Sequence, residues 1–527
     1  MASTGSRVLR LTRGGMRTRR PLLALRIALL AAVLASSSVS SSVVAQTSEA
    51  CPTRGGTLTF ARSADVSNWA YQSNNPTIWA WPLVNLPLVR NNKDATGLDG
   101  AAAASWEISP DSKTFTFHLR DGLKFSNGAV LTSADVLDSF NAMVLDPQVA
   151  QGGAWPKSSF SAPDSTTFVI NLDDPQPAFI ENALTQVGIY PEGTKLADMA
   201  DQPLSGGPFI LSQWDKGQQA ILVRNPYYWN QPYPCLDEVD LLVVPDSNTQ
   251  ALQVQAGQID MAEEIPPNQL AALSNAPGVT VPLFPTLAMQ LVRLQKTKQP
   301  AFQDKNVRQA MNYAIDKEGI IKSVLFGTGT PVNSVLPRTK YWDSSALPFA
   351  YDVGRAKQLM AASKYPSGFA TTILTASGDS VENGIAQVIK AQLAMIGINV
   401  TIQQVEAGTK FQMRGDKNFE MFMANTSADQ IDPEIFTWFC CTEGFKIQSA
   451  WTDYSNPQAN ALFAQVQKEP NDENRAALFK QMQSILWEDA PDLYIDFIDA
   501  TLAIRSNVNG FVLPPTRHHY LEFVYKT

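Results

Sequence analysis

Hydrophobic and polar residues follow each other along the chain in patterns typical of strands and helices. Residues 114–119 alternate with a period of two, which predicts a half-buried strand. Residues 132–135 are Thr-Ser-Ala-Asp, a typical helix start. Val136, Phe140 and Val144 then repeat at helical spacing and predict the apolar side of that helix.

The same alternation of element types continues to the end of the chain. Residues 239–244 predict a buried strand, residues 248–256 a helix, and residues 307–317 a helix that faces a core. In the second half the pattern predicts strands at 372–375, 400–404, 420–424 and 493–498, and helices at 381–396 and 474–488. Strands that alternate with helices indicate the α/β class.

The first 45 residues have the pattern of a signal peptide. They contain seven arginines and no acidic residue, with an apolar run at 22–34 and small residues up to Ala45. A bilayer span needs about 20 apolar residues, and Arg26 interrupts this shorter run. We therefore expect cleavage after Ala45 and a periplasmic protein. Residues 18–23 loosely resemble a twin-arginine signal, which leaves the export route open.

Length and charge limit the classes of partner. A chain of 527 residues with 44% hydrophobic side chains is long enough for more than one core, so we expect two lobes. Beyond residue 45 the chain has 34 basic and 49 acidic residues. That surplus of acid disfavours nucleic acid and anionic membranes and favours a small solute.

Four cysteines in an exported chain make disulfides plausible. Cys51 with Cys235 is the favoured pair, because the adjacent Cys440 and Cys441 cannot both reach distant partners without distortion. A bond between Cys440 and Cys441 would be strained, and a free pair there is equally compatible with the sequence.

The sequence lacks the common catalytic motifs of nucleophile elbows, phosphate loops, metalloproteases and dinucleotide-binding folds. The acidic pairs Asp237–Glu238 and Glu263–Glu264 are interpreted as solvated surface. No C-x-x-C motif occurs, and the histidines are His118, His518 and His519, of which His118 is interpreted as structural. We therefore predict no enzyme, no metal site and no cofactor.

A set of short motifs, spread over residues 54–523, resembles one family: the dipeptide, oligopeptide and nickel class of extracytoplasmic solute-binding proteins, family 5. The motifs are Arg-Gly-Gly-Thr-Leu at 54–58, residues 105–136 as a block, Gly-Gly-Pro-Phe at 206–209, Arg-Asn-Pro-Tyr-Tyr-Trp at 224–229, Gly-Gln-Ile-Asp at 257–260 and residues 307–317. The resemblance depends on the order and spacing of all the motifs together. Each motif alone indicates how the chain packs and does not identify the ligand.

The resemblance implies the type II periplasmic binding protein fold, in the large class with an extra subdomain in the first lobe. Lobe I would comprise 46–287 plus 500–527, with the subdomain at about 91–205, and lobe II 288–499. The chain would cross a hinge near 285–290 and again near 498–502, and closing that hinge would enclose the ligand. The implied partners are an inner-membrane permease and ATPase of an ABC importer, served by a monomeric receptor.

The resemblance also implies a ligand-binding residue, Asp429, which lies three residues before an acidic-Pro pair. Peptide-binding members place an aspartate there to receive the ligand's α-ammonium, a charge-assisted contact in a desolvated cleft. Ala428 and Thr426 belong to the same loop. Peptide-binding relatives usually have tryptophan where this chain has Thr426, and residues 375–380 lack the arginine that dipeptide-specific members use for the ligand carboxylate.

The resemblance also implies that the loop at 63–69 of the first lobe faces the cleft, since it follows the carboxyl end of the first strand. Ser63, Asp65, Asn68 and Trp69 are its candidate contacts, and Trp438 is a second aromatic candidate. The ligand is therefore predicted to be a peptide or a peptide-like amine. A sugar, an opine or a metal chelate on the same fold is the alternative, and a hydrolase is the alternative from another class.

Overall fold

The computed structural model describes residues 50–70, 79–145, 156–428, 430–434 and 449–527. The first lobe is built on a mixed sheet in which β1 lies between β10 and β11 and runs parallel to both. Its strands before the crossing to the second lobe are β1 (Thr57–Arg62), β2 (Val89–Asn91), β3 (Leu98–Gly100), β4 (Ala103–Ile108), β5 (Thr114–Leu119), β6 (Ser158–Asp164), β7 (Thr167–Leu172), β8 (Phe209–Asp215), β9 (Gln219–Arg224), β10 (Glu238–Val243), β11 (Met261–Glu263) and β12 (Val279–Thr280).

A separate antiparallel sheet, in the order β4-β5-β7-β6, forms a subdomain of the first lobe with its own core around Phe117, Phe140 and Phe168. The predicted helix start is confirmed, because both the backbone N–H and the hydroxyl of Thr132 donate to the Asp135 carboxylate. The helices of this lobe are α1 (Trp81–Val84), α2 (Ser133–Leu145), α3 (Phe179–Ala183), α4 (Leu196–Met199), α5 (Ser247–Ala256) and α6 (Leu270–Ser274).

The remaining strands are β13 (Leu283–Leu294), β14 (Thr330–Pro331), β15 (Phe369–Ala376), β16 (Ile398–Val405), β17 (Met421–Ser427), β18 (Leu493–Arg505), β19 (Val508–Asn509) and β20 (Tyr525–Lys526). In the second lobe, β15 lies between β16 and β17 and is parallel to both. The helices that cover this sheet are α7 (Lys305–Ala314), α8 (Lys317–Ser323), α9 (Val353–Ala361), α10 (Ser380–Ala394), α11 (Ala407–Gly415), α12 (Ser449–Thr452), α13 (Pro457–Val466) and α14 (Asp472–Asp489). Parallel strands joined by helices confirm the α/β class.

Strands β13 and β18 connect the two lobes, because each runs through both parts of the sheet. β18 pairs with β11 through residues 502–504, whereas residues 493–497 of the same strand pair with β13. The sequence pattern predicted a strand only at 493–498, and the structure extends it to Arg505. Residues 498–501 are half-buried, whereas residues 493–497 and 502–504 on either side of them are buried. Together these elements give the two-lobed fold that the resemblance implied.

The prediction of one helix over residues 307–317 is wrong at its C-terminal end. Helix α7 ends at Ala314, because Ile315 adopts an extended conformation. The Asp316 side chain then accepts a hydrogen bond from the Gly319 N–H and caps α8. The apolar pattern continues across this break, since Val307, Met311 and Ile315 are all buried in one core.

The Cys51–Cys235 disulfide is confirmed, with a Cα–Cα distance of 5.4 Å. It joins the segment before β1 to the segment before β10, next to the backbone hydrogen bond from Gly55 to Cys235. Cys440 and Cys441 lie outside the described residues. Among the residues that the structure describes, no helix is long and apolar enough to cross a bilayer.

Candidate functional site

The carboxyl ends of the parallel strands in both lobes point toward the crossing formed by β13 and β18. In the first lobe, Glu263 at the end of β11 pairs with Leu502 of β18. In the second lobe, Ser427 at the end of β17 pairs with Ala288 of β13. Side chains and loops at these ends therefore lie on the two sides of the crossing strands, and open α/β sheets commonly bind ligands at the carboxyl ends of their strands.

A buried charge network occupies the first-lobe end of this region. The Arg62 guanidinium lies 3.0 Å from the Glu263 carboxylate and 3.2 Å from that of Glu264, and it covers the Trp79 ring at 4.4 Å. His519 Nε2 lies 3.1 Å from the same Glu263 oxygen. Burial opposes ionisation, but Arg62 and His519 together hold the pKa of Glu263 below its ordinary value.

The interpretation of Glu263–Glu264 as solvated surface is therefore wrong for Glu263, which is 1% exposed. It lies between β1 and β18, so its side chain points into the protein toward the C-terminal segment. Arg62, at the equivalent end of β1, is the sequence signal for a buried acidic partner. Glu263 can be recognised as that partner only from the pairing of β1 with β11.

The first-lobe candidates differ in their surroundings. Ser63 donates a hydrogen bond to Glu264, and Asn68 is half-buried. The Asp65 carboxylate accepts hydrogen bonds from Trp214 Nε1 at 3.1 Å and from the Gly217 N–H at 2.7 Å. Asp65 is thus already engaged in holding its own loop in place.

Trp69 is fully buried and packs edge-to-face on Trp214, with ring centroids 6.0 Å apart. It belongs to the main core of the first lobe, together with Phe60 and Trp79. Its large ring accordingly fixes the end of the loop at 63–69, and its suggested stacking on a ligand stays a prediction.

In the second lobe, two of the candidates are placed at the end of β17. Thr426 is buried, and its hydroxyl lies 3.4 Å from an Arg293 nitrogen. The Ala428 N–H donates to the Leu287 carbonyl at 2.8 Å, which ties the end of β17 to β13. Asp429 and Trp438 lie outside the described residues.

The loop after residue 429 is anchored by a buried arginine. Arg475 of α14 lies 2.9 Å from the carboxylates of both Asp432 and Glu434. The Lys340 N–H donates to the Ile431 carbonyl at 2.9 Å. The acidic-Pro pair that marks the motif therefore holds the loop by an ion pair to α14.

Sequence reasoning missed Arg475, although a signal for it exists. The buried residues of α14 include Phe479, Met482 and Leu486, which follow Arg475 at helical spacing. An arginine on the apolar side of a helix is buried with it and requires buried acids as partners.

A second pair of acids lies on the crossing itself. Asp499 accepts a hydrogen bond from the Gly329 N–H at 3.1 Å and lies 3.6 Å from Arg338. Burial, and then the neighbouring Asp499 charge, raise the pKa of Asp496 to about 8. Arg338 opposes this rise but does not reverse it.

The histidines are not part of a metal-binding group in the described residues. No group of three or more His, Cys, Asp or Glu side chains with metal-ligand geometry occurs within the described ranges. His118 lies half-buried in β5, far along the chain from the fully buried His518 and His519. Burial, and then His519, lower the pKa of His518 to about 4.

Comparison with protein families identifies a match that covers most of the chain. The family model described as "Bacterial extracellular solute-binding proteins, family 5 Middle" matches residues 97–446. This range includes the subdomain, the crossing strand β13 and the anchored loop after β17.

Curated relatives are similar over most of their length. The glutathione-binding protein GsiB of Salmonella typhi is 28% identical over 427 residues, which cover 78% of this chain and 83% of that protein. The "Probable D,D-dipeptide-binding periplasmic protein DdpA" of Escherichia coli K12 is 28% identical over 442 residues, covering 80% of this chain and 84% of that protein.

A solved structure is similar as well. The periplasmic binding protein DppA of Helicobacter pylori, determined in complex with the peptide STSA, superposes with a TM-score of 0.77. It is 27% identical, and the match covers 90% of this chain and 98% of that one.

Proposed function

The chain belongs to the bacterial extracellular solute-binding proteins of family 5, and on that premise we propose that it is the periplasmic receptor of an ABC importer. It captures a peptide or a peptide-like, amine-bearing solute by closing its two lobes. The observation that carries this proposal is that the strand ends of both lobes point toward the crossing formed by β13 and β18. GsiB, DdpA and DppA support the ligand class, since GsiB is a glutathione-binding protein, DdpA a probable D,D-dipeptide-binding protein, and DppA was determined in complex with the peptide STSA.

Asp429 receives the ligand's cationic amine. The residues on both sides of it are fixed, because Ala428 is hydrogen-bonded to Leu287 and Ile431 to Lys340. The contact with an ammonium group is then charge-assisted in a cleft from which closure removes water.

The far end of the ligand is held without a dedicated arginine. Residues 375–380 end β15 and begin α10, and Asp379 there caps the helix by accepting from the Glu382 N–H at 2.8 Å. Lys410 is nearby, but both of its contacts, at 2.5 and 2.7 Å, are to the Glu382 carboxylate. This favours peptides longer than a dipeptide, or an amine-bearing solute without a fixed carboxylate.

The rest of the site comes from the loops at the strand ends. Ser63, Asp65, Asn68 and Trp69 contribute the first-lobe wall, while Thr426, Ala428 and Trp438 contribute the second-lobe wall. Lobe I comprises 46–287 and 500–527, and lobe II comprises 288–499, with β13 and β18 as the hinge. The receptor binds without catalysis and delivers its solute as a monomer to a membrane permease and its ATPase.

Residues 1–45 act as a cleaved signal peptide that directs the chain to the periplasm. Mass spectrometry of the secreted protein tests this directly, with Gln46 as the expected first residue. Detection of Met1 in the exported protein would contradict it.

A thermal-shift screen tests the proposed function. The mature protein is unfolded and refolded to remove carried ligand, and is then mixed with free-amine peptides, sugars, opines or metal chelates. Ligand at 100 times its dissociation constant adds about 2.7 kcal/mol of stability. Free-amine peptides, including glutathione and Ser-Thr-Ser-Ala, are expected to raise the melting temperature. A shift with sugars or chelates alone would overturn the peptide assignment.

A further inference from the structure

One side chain of the first lobe reaches the charges that anchor the Asp429 loop. Glu181 lies on α3, whose neighbouring residues Phe179 and Ile180 are buried in the core of the subdomain. Its carboxylate lies 3.6 Å from Lys340 Nζ, and the Lys340 backbone holds Ile431 of the second lobe. The contact therefore connects the subdomain to the ligand-binding loop across the two lobes.

Lys340 is shared with a closer acid. Its Nζ lies 2.7 Å from the Asp472 carboxylate, at the start of α14, and that carboxylate also accepts from the Tyr341 hydroxyl at 2.7 Å. Burial opposes the Lys340 charge, but Glu181 and Asp472 prevail and hold the pKa of Lys340 above its ordinary value. Lys340 therefore stays protonated throughout the physiological range.

For Glu181, in contrast, burial and a neighbouring acid outweigh the cations. The charges that act on it are those of Asp432, Lys340 and Arg475, and Lys340 is shared with Asp472. Arg475 already neutralises Asp432 and Glu434 at 2.9 Å each. Burial, and then repulsion from Asp432, raise the pKa of Glu181 to about 7, although Lys340 and Arg475 oppose the rise.

We propose that Glu181 couples lobe closure to the uptake of one proton, so that the closed state holds its ligand more tightly in mild acid than in mild alkali. This rests on the proposed function, because it requires that the lobes open and close. With the lobes apart, Glu181 faces water rather than Asp432 and ionises as an ordinary carboxylate. On closure it moves against Lys340 and Asp432 and is more readily protonated.

The sign follows from linkage. A group that holds its proton more tightly in the closed state favours closure at low pH, and this contribution is lost as the pH rises through about 7. Uptake of one proton changes the ligand affinity by at most about tenfold per pH unit within that window. Glu181 thus acts on affinity by positioning the lobes, without touching the ligand.

Small-angle X-ray scattering of the ligand-free mature protein from pH 5 to pH 9 tests the coupling without knowledge of the ligand. The radius of gyration of the wild type is expected to rise as the pH passes about 7. Glu181→Gln is expected to remain compact throughout. Lys340→Gln is expected to move the transition to higher pH, because it removes a cation that favours ionised Glu181.

Glu192→Gln is the matched control, since Glu192 is an exposed acid of the same subdomain. It is expected to follow the wild type. A radius of gyration that is independent of pH in the wild type, or that changes equally in Glu181→Gln, would overturn the inference. Failure of every peptide in the thermal-shift screen would instead overturn the proposed function and leave the scattering result unaffected.

Discussion

Glu263 is a buried and Glu181 a half-buried carboxylate of the first lobe, and their surroundings give them opposite ionisation behaviour. Glu263 has Arg62 at 3.0 Å and His519 at 3.1 Å, and its pKa is lowered. Glu181 has Lys340 at 3.6 Å and the Arg475 charge beyond it, with Asp432 as a nearby like charge, and burial and Asp432 raise its pKa to about 7.

The comparison shows that burial alone does not determine the charge of an acid in this protein. Burial favours the neutral form of both groups, so the local supply of cations decides the outcome. The strand-end network around Glu263 stays ionised and fixes the first lobe. The contact at Glu181 forms between lobes, where its cation is already shared, and it is therefore suited to change with pH.

The largest effect is expected at the cation that holds two acids. Arg475→Met leaves Asp432 and Glu434 buried without their partner and is expected to lower the free energy of unfolding by about 4–5 kcal/mol. Urea denaturation at pH 7.5 measures it, with the exposed Arg355→Met as the control. A loss below about 1 kcal/mol would show that the loop is not held by this ion pair.

A smaller loss is expected at Arg62, because Glu263 keeps His519 beside it. Arg62→Met is expected to cost about 3 kcal/mol, and adding Glu263→Gln to it should restore part of the loss, since the double variant buries no unpaired charge. The exposed Arg54→Met serves as the control in the same denaturation series. If the double variant were less stable than Arg62→Met, Arg62 would not act through Glu263.

The smallest effect extends the comparison to Asp496, whose pKa is raised to about 8 by burial and by Asp499. Its stabilising contribution is present at low pH and is lost as the pH rises through about 8. Asp496→Asn is therefore expected to gain stability relative to the wild type between pH 6 and pH 8, by about 1–2 kcal/mol in total. Equal differences at both pH values would contradict the assigned ionisation.

The sequence predicted those features that depend on local pattern or on chain-wide motifs. The strand at 114–119, the helix start at Thr132, the Cys51–Cys235 bond and the two-lobed fold are confirmed. Hydrophobic periodicity continues across a conformational break inside an apolar run. For this reason the predicted C-terminal end of α7 was wrong.

The charge networks depend on contacts that the chain order does not show. The pairing of β1 with β11 places Arg62 beside Glu263, and the approach of α3 to the second lobe places Glu181 beside Lys340. Neither pair has a spacing that distinguishes it from the many other acids and bases of the chain. Arg475 differs from these residues. Its position on the apolar side of α14 indicates a buried arginine before any partner is known.

Capture of an amine-bearing ligand by Asp429 is the central claim, and calorimetric titration of Ser-Thr-Ser-Ala into the refolded mature protein tests it most directly. Asp429→Asn is expected to weaken binding by about 30-fold or more, because a charge-assisted contact in a closed cleft is lost. Asp416→Asn, at an exposed position of the same lobe, is expected to bind like the wild type. Binding to Asp429→Asn within about twofold of the wild type, or no binding of any free-amine peptide, would contradict the account.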